Sequence, residues 1–98
     1  MKFIQIIEFQ TSRIDEMLAL DKEWQAATKD KRSATAMNIT KDRDRPDTYI
    51  WMVEFPSYED AQRNNELPET QAISERMMKL ADGPAVFRNL DVVDQKLL

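Results

Sequence analysis

In a chain of 98 residues, two strand-like segments are apolar on both of their faces. Alternation through Lys2–Gln10 places Phe3, Ile7 and Phe9 on one side and Ile4 and Ile6 on the other. In Thr48–Phe55, Tyr49, Trp51, Val53 and Phe55 alternate with Ile50, Met52 and Glu54. Strands of this kind have to be covered on both sides. The helices available to so short a chain reach one side of a sheet, and the other side then calls for a second molecule. The expectation is a homodimer joined face to face through its sheets.

The remaining elements fall between and after these strands. Thr11-Ser12 opens a helix running to about Thr28, with Ser12 as the expected N-cap and Asp15 three residues on. At 100° per residue, Ile14, Met17, Leu18, Leu20, Trp24 and Ala27 form its apolar arc. Two polar residues sit inside that arc, Asp21 near its middle and Gln25 towards one edge. Ser33–Thr40 reads as a second strand, with Thr35, Met37 and Ile39 on one face and Ala34, Ala36 and Asn38 on the other. The polar run Lys41–Asp47 connects it to Thr48–Phe55 through a turn at Pro46. Ser57 caps a short helix, and Pro68 starts a further one with the stripe Ile73, Met77, Leu80 and Ala81. Gly83-Pro84 stops that helix, and Ala85–Val93 is the last strand before a short tail.

The order is β-α-β-β-α-β, with the second helical region broken in two. No linker, repeat or low-complexity tract divides it, so residues 1–98 are read as a single domain. The matching architecture is α+β, a ferredoxin-like antiparallel sheet with its helices on one face.

Composition narrows the chemistry. There is no His and no Cys, so imidazole bases, thiolate nucleophiles, disulfides and the ordinary zinc, haem and iron–sulfur ligands are missing. One Gly cannot build a phosphate-binding loop or a dinucleotide fingerprint. The expectation is chemistry without metal or cofactor, or binding alone. The acidic net charge of −4, with a pI near 4.8, argues against a nucleic-acid partner. Asp42, Asp44 and Asp47 lack the Gly and distal Glu of a calcium loop and read as a solvated turn. No apolar run nears the roughly 20 residues of a membrane span and no signal-peptide pattern is present. No membrane association and a cytoplasmic location are therefore expected.

The segments FIQIIEF (residues 3–9), YIWMVEFPSYEDA (49–61) and NNELPETQAISERM (64–77) carry a resemblance. With the element order, length and two-sided strands, the chain resembles the dimeric α+β barrel superfamily and its antibiotic-biosynthesis-monooxygenase-like proteins, a small actinobacterial-type group among them. The resemblance covers essentially the whole chain. It implies a pocket between sheet and helices in each subunit, and in characterised members a cofactor-free oxidation of small aromatic or polycyclic compounds by oxygen. Haem-degrading members need an axial His, which this chain lacks. Where relatives often carry His around the Pro-initiated helix, this chain has Asn64 before Pro68 and Glu69 after it.

Within that frame, Asp21, Asn38 and Arg88 are the candidate catalytic residues. Asp21 is either a desolvated general base for a phenol or one half of a salt bridge to Arg88 or Arg76. Asn38 and Arg88, with Gln5, are polar groups in strands suited to holding an enolate or serving oxygen chemistry, or to pairing across the dimer. Gln5, Trp24, Gln25, Trp51 and Asn64 are the candidate ligand-binding residues, with Tyr49 and Phe87 nearby. The two Trp rings serve equally well as cavity walls, core or interface. A non-catalytic ligand-binding or sensing homodimer is the alternative reading.

Overall fold

The two doubly apolar strands pair with each other at the centre of the sheet. In the computed structural model, which describes residues 1–98, β1 (Phe3–Gln10) lies antiparallel to β3 (Thr48–Phe55), with Phe3 opposite Phe55 and Ile7 opposite Trp51. β2 (Ala36–Lys41) and β4 (Val86–Asp91) are the edges, giving the order β2-β3-β1-β4 with every neighbour antiparallel. Helix α1 (Ile14–Ala27) joins β1 to β2, and α2 (Tyr58–Glu66) and α3 (Pro68–Leu80) join β3 to β4. The helices cover one face, and the fold is ferredoxin-like α+β, as the element order indicates.

Two helix starts show how local chemistry sets the boundaries. Ser57 caps α2 as expected, its hydroxyl oxygen accepting from the Asp60 amide at 3.1 Å. At α1 the expectation fails: Arg13 occupies the N-cap position with no side-chain cap, and the Ser12 amide instead donates to Asp82 Oδ2 at 2.9 Å. The fully buried Thr11 takes over the organising role. Its hydroxyl accepts from the Arg13 amide at 3.0 Å and donates to the Leu80 carbonyl at 2.7 Å, tying the start of α1 to the end of α3. The edge strands are also shorter than their apolar patterns suggest: residues 33–35, 85, 92 and 93 lie outside the ladder, while Lys41 joins it.

The turn between β2 and β3 uses its acidic residues internally. Asp42 accepts from the Asp44 amide and from Arg45 Nε, both at 2.9 Å, which holds its carboxyl below the usual carboxylate range, the amide being the larger cause. Asp47 adopts φ +56°, a left-handed conformation that Asp tolerates, and its carbonyl accepts from the Thr11 amide.

The core is thin: 16 of 98 residues are buried, and the buried apolar side chains gather in two small clusters of four rather than one. Phe3, Val53, Phe55 and Ala61 make the first; Phe9, Met17, Tyr49 and Trp51 make the second, with Phe9 edge-on to Trp51 at 5.3 Å. No residue of α3 is buried, and β4 is exposed along its whole length. The helical layer therefore stands off part of the sheet.

Candidate functional site

Between the helices and the sheet lies a cavity of about 470 Å³, bordered by both core clusters and within the size range of small-molecule sites. Strand alternation supplies its floor from one face of the sheet: Gln5, Ile7, Phe9, Trp51, Val53 and Phe87. Met17, Asp21 and Trp24 face it from α1 at helical spacing. Asn64 enters from α2, and Thr70, Ile73 and Met77 enter from α3.

Asp21 is buried, at 5% exposure, in this largely apolar setting. Burial pushes its carboxyl above the usual carboxylate range, opposed by the hydrogen bond from Gln25 and by the charge of Arg32. Gln25 Nε2 donates to Asp21 Oδ2 at 2.6 Å. Neither salt-bridge partner expected for Asp21 is used, because Arg76 pairs with Glu23 and Arg88 with Glu8. Trp24 is oriented by donating from Nε1 to Thr70 Oγ1 at 2.8 Å, and the Arg32 guanidinium lies 5.7 Å from its ring centre.

Two other polar atoms have no partner. Trp51 Nε1, a donor, and Asn64 Oδ1, an acceptor, are both buried without a hydrogen bond, and both side chains border the cavity. Each such group costs on the order of 1–3 kcal/mol, and both belong to residues that border the one cavity.

The candidate residues separate by position. Asp21, Trp24, Trp51, Asn64 and Gln5 line the cavity. Gln25 is exposed and does not line it; it holds the Asp21 carboxylate from outside. Asn38 and Arg88 are on the wrong face of the sheet. They stand in register with Met52 and Ile6, one residue out of phase with Met37, Val53, Gln5 and Asn89 on the cavity side. The Arg88 guanidinium reaches Glu8 at 3.4 Å on that far face, so neither residue belongs to the cavity. Sequence reasoning passed over Thr70, although it sits three and seven residues before Ile73 and Met77 on the same helical stripe. No group of three or more acidic side chains is placed to hold a metal ion, and no helix is long and apolar enough to cross a membrane.

No protein-family model matches the sequence, and neither does any curated protein. Solved structures do match in fold. A protein from Caulobacter crescentus provisionally named an antibiotic biosynthesis monooxygenase superposes with a TM-score of 0.81 at 14% identity, over 95% of this chain and 91% of its own. SnoaB, a cofactor-independent oxygenase from Streptomyces nogalater, gives 0.80 at 9% identity over 96% and 95%. A conserved protein from Methanosarcina mazei Go1 gives 0.79 at 10% identity over 91% and 90%. The chain thus has the fold of the antibiotic-biosynthesis-monooxygenase-like proteins, across nearly its whole length.

Proposed function

We propose that the cavity receives a small aromatic or polycyclic compound and that the protein oxidises it with molecular oxygen, without a cofactor. The observation that carries this reading is the combination of an apolar, aromatic-lined cavity with a buried carboxylate and two lining residues, Trp51 and Asn64, that each keep a polar atom without a partner. Trp24 and Trp51 flank a flat ring system, and Asp21 accepts a proton from a phenol or an acidic ring carbon. The substrate, made electron-rich by losing that proton, is itself the reductant. One oxygen atom enters as a ring carbonyl; the other leaves as water with two hydrogens, both from that carbon in an acidic CH2 or one from it and one from the hydroxyl in a phenol. The named activity of SnoaB on the same fold supports this class of reaction.

The working unit in this proposal is a homodimer joined through the far face of the sheet. Ile4, Ile6, Ile50, Met52, Val86 and Leu90 share that face, where Val86 and Leu90 are close to half exposed. A second copy of the same surface is its self-complementary cover.

The test is oxygen uptake by the purified protein with anthrone or hydroquinone substrates. Turnover is expected, and Asp21→Asn should lower it by about 10²-fold or more, the usual scale of a general base. Absence of both uptake and binding would remove the reading. One observation favours a second reading, ligand binding without turnover: of the strand groups suited to oxygen chemistry only Gln5 lines the cavity, and Asn38 and Arg88 do not. Saturable binding without oxygen uptake, with Asp21→Asn weakening affinity alone, would select it.

A further inference from the structure

The charge in the cavity wall has one sign. Its formally charged lining residues are Asp21 and Glu75; no Lys or Arg is among them. The cations near α1 are engaged elsewhere: Arg32 donates to the Gln25 carbonyl at 2.8 Å and lies over Trp24, and Arg76 is paired with Glu23 at 2.8 Å. On α1 itself Lys22 is exposed, and on α3 Lys79 is exposed, neither lining the cavity.

The hydrogen-bonding inventory leans the same way. Asp21 uses Oδ2 for Gln25, which leaves the acceptor capacity of the second oxygen. Asn64 Oδ1 is a buried acceptor with nothing donating to it. Both call for N–H or O–H groups on an occupant. The aromatic lining, Phe9, Trp24, Trp51 and Phe87, offers ring faces that attract cations and do nothing for anions. An anionic occupant would lose its hydration and meet a carboxylate, and the one buried donor left unpaired on this wall is Trp51 Nε1.

Resting on the reading of this cavity as the ligand site, we infer that it selects by charge: through Asp21 and Asn64 it takes aromatic ligands bearing a protonated amine and rejects aromatic carboxylates. The protonated amine donates to the Asp21 carboxylate and to Asn64 Oδ1, while the ring fills the apolar space between Trp24 and Trp51. Trp51 Nε1 remains available for an oxygen substituent on the ring. The ligand class is thus an aromatic amine, with a ring hydroxyl where oxidation follows.

The experiment compares three compounds of one shape: 2-naphthylmethylamine, 2-naphthylmethanol and 2-naphthoate. Binding is followed calorimetrically and by tryptophan fluorescence at neutral pH and about 0.15 M salt, which screens the general attraction of an acidic protein for cations. The amine should bind about tenfold more tightly than the alcohol, the scale of one charge-assisted hydrogen bond, and the carboxylate should not saturate. In Asp21→Asn, verified as folded by circular dichroism, the amine's advantage should shrink to about threefold or less while the alcohol's affinity holds. If the three compounds bind alike, if the carboxylate binds most tightly, or if the amine's advantage survives Asp21→Asn, charge selection is wrong and the ligand site stands. If none of the three binds, the site itself is wrong and charge selection falls with it.

Discussion

Asp21 is a carboxylate kept where it costs stability. It is 5% exposed, its nearest hydrogen-bond donor is a neutral amide, and the one cation acting on it, Arg32, does not offset its loss of water. The consequence for folding has a definite sign. With the native carboxyl titrating above the ordinary range and the unfolded one within it, the folded chain binds more protons between the two values. The contribution of Asp21 to stability is therefore most favourable below the ordinary carboxylate range and declines as pH rises through it to the raised value. Asp21→Asn keeps an oxygen to accept from Gln25 and removes the charge. It is expected to stabilise the protein at neutral pH by on the order of 1 kcal/mol, with the gain shrinking at pH values below the ordinary carboxylate range. Urea midpoints of both proteins at the two pH values check this, since carboxyls lowered by partners, such as Asp42, affect both alike. A variant less stable at neutral pH would mean that the charge is well compensated. Asp21 was legible in the sequence because a charged residue in the middle of an apolar helical arc conflicts with the pattern around it. Asn64 carried no such signal from periodicity: a buried asparagine in a short, polar helix looks like any solvated one. Its place among the candidates came from the resemblance alone.

At the scale of elements, the cavity depends on how α1 and α3 are fastened at their ends. Thr11 makes that fastening, bonded to the Leu80 carbonyl and the Arg13 amide with no exposure to water. Thr11→Val preserves shape and removes both bonds, leaving the part-buried Leu80 carbonyl without its donor. The expected loss is about 1–3 kcal/mol in thermal or urea unfolding, accompanied by weaker binding of the cavity ligand as the α3 end loosens. A loss of stability under about 0.5 kcal/mol would show that water replaces the hydroxyl. Element order, strand alternation and the caps at Ser57 and Pro68 could be read from residue type, because each rests on local chemistry. Which sheet face lies under the helices could not. β1 and β3 are apolar on both sides, so the alternation that tells the faces apart is silent about which one meets α1. Asn38 and Arg88 were accordingly assigned to the cavity when both stand on the opposite face, a difference of a single residue in phase that moves a side chain through the sheet. Thr11 was missed for a related reason: its partner Leu80 is 69 residues away, and nothing local marks the pairing.

At the scale of the molecule, the thin core and the bare far face are one problem. Ile6 is already 7% exposed in the single chain because Met52 and Arg88 flank it, while Val86 and Leu90 on the edge strand remain close to half exposed. Covering this face with a second copy buries side chains that the helices cannot reach, each half-exposed aliphatic group contributing about 1 kcal/mol, near half the value for burial from full exposure. Charged groups fringe the same face and set its limits: Glu8 lies between Arg45 and Arg88, and Lys2 is 3.7 Å from Glu54. The proposed dimer can therefore be broken without touching the fold. Leu90→Glu places a carboxylate on an exposed edge-strand position, harmless to one chain and costly at an apolar interface. Sedimentation should report a dimer for the parent protein and a monomer for Leu90→Glu, with circular dichroism unchanged and the cavity still binding its ligand, since Leu90 faces away from it. A variant that remains dimeric would move the interface off this face. A variant that unfolds would instead mean that the second copy is needed for the chain to fold at all, which mixing with parent protein at rising concentration would reveal as rescue.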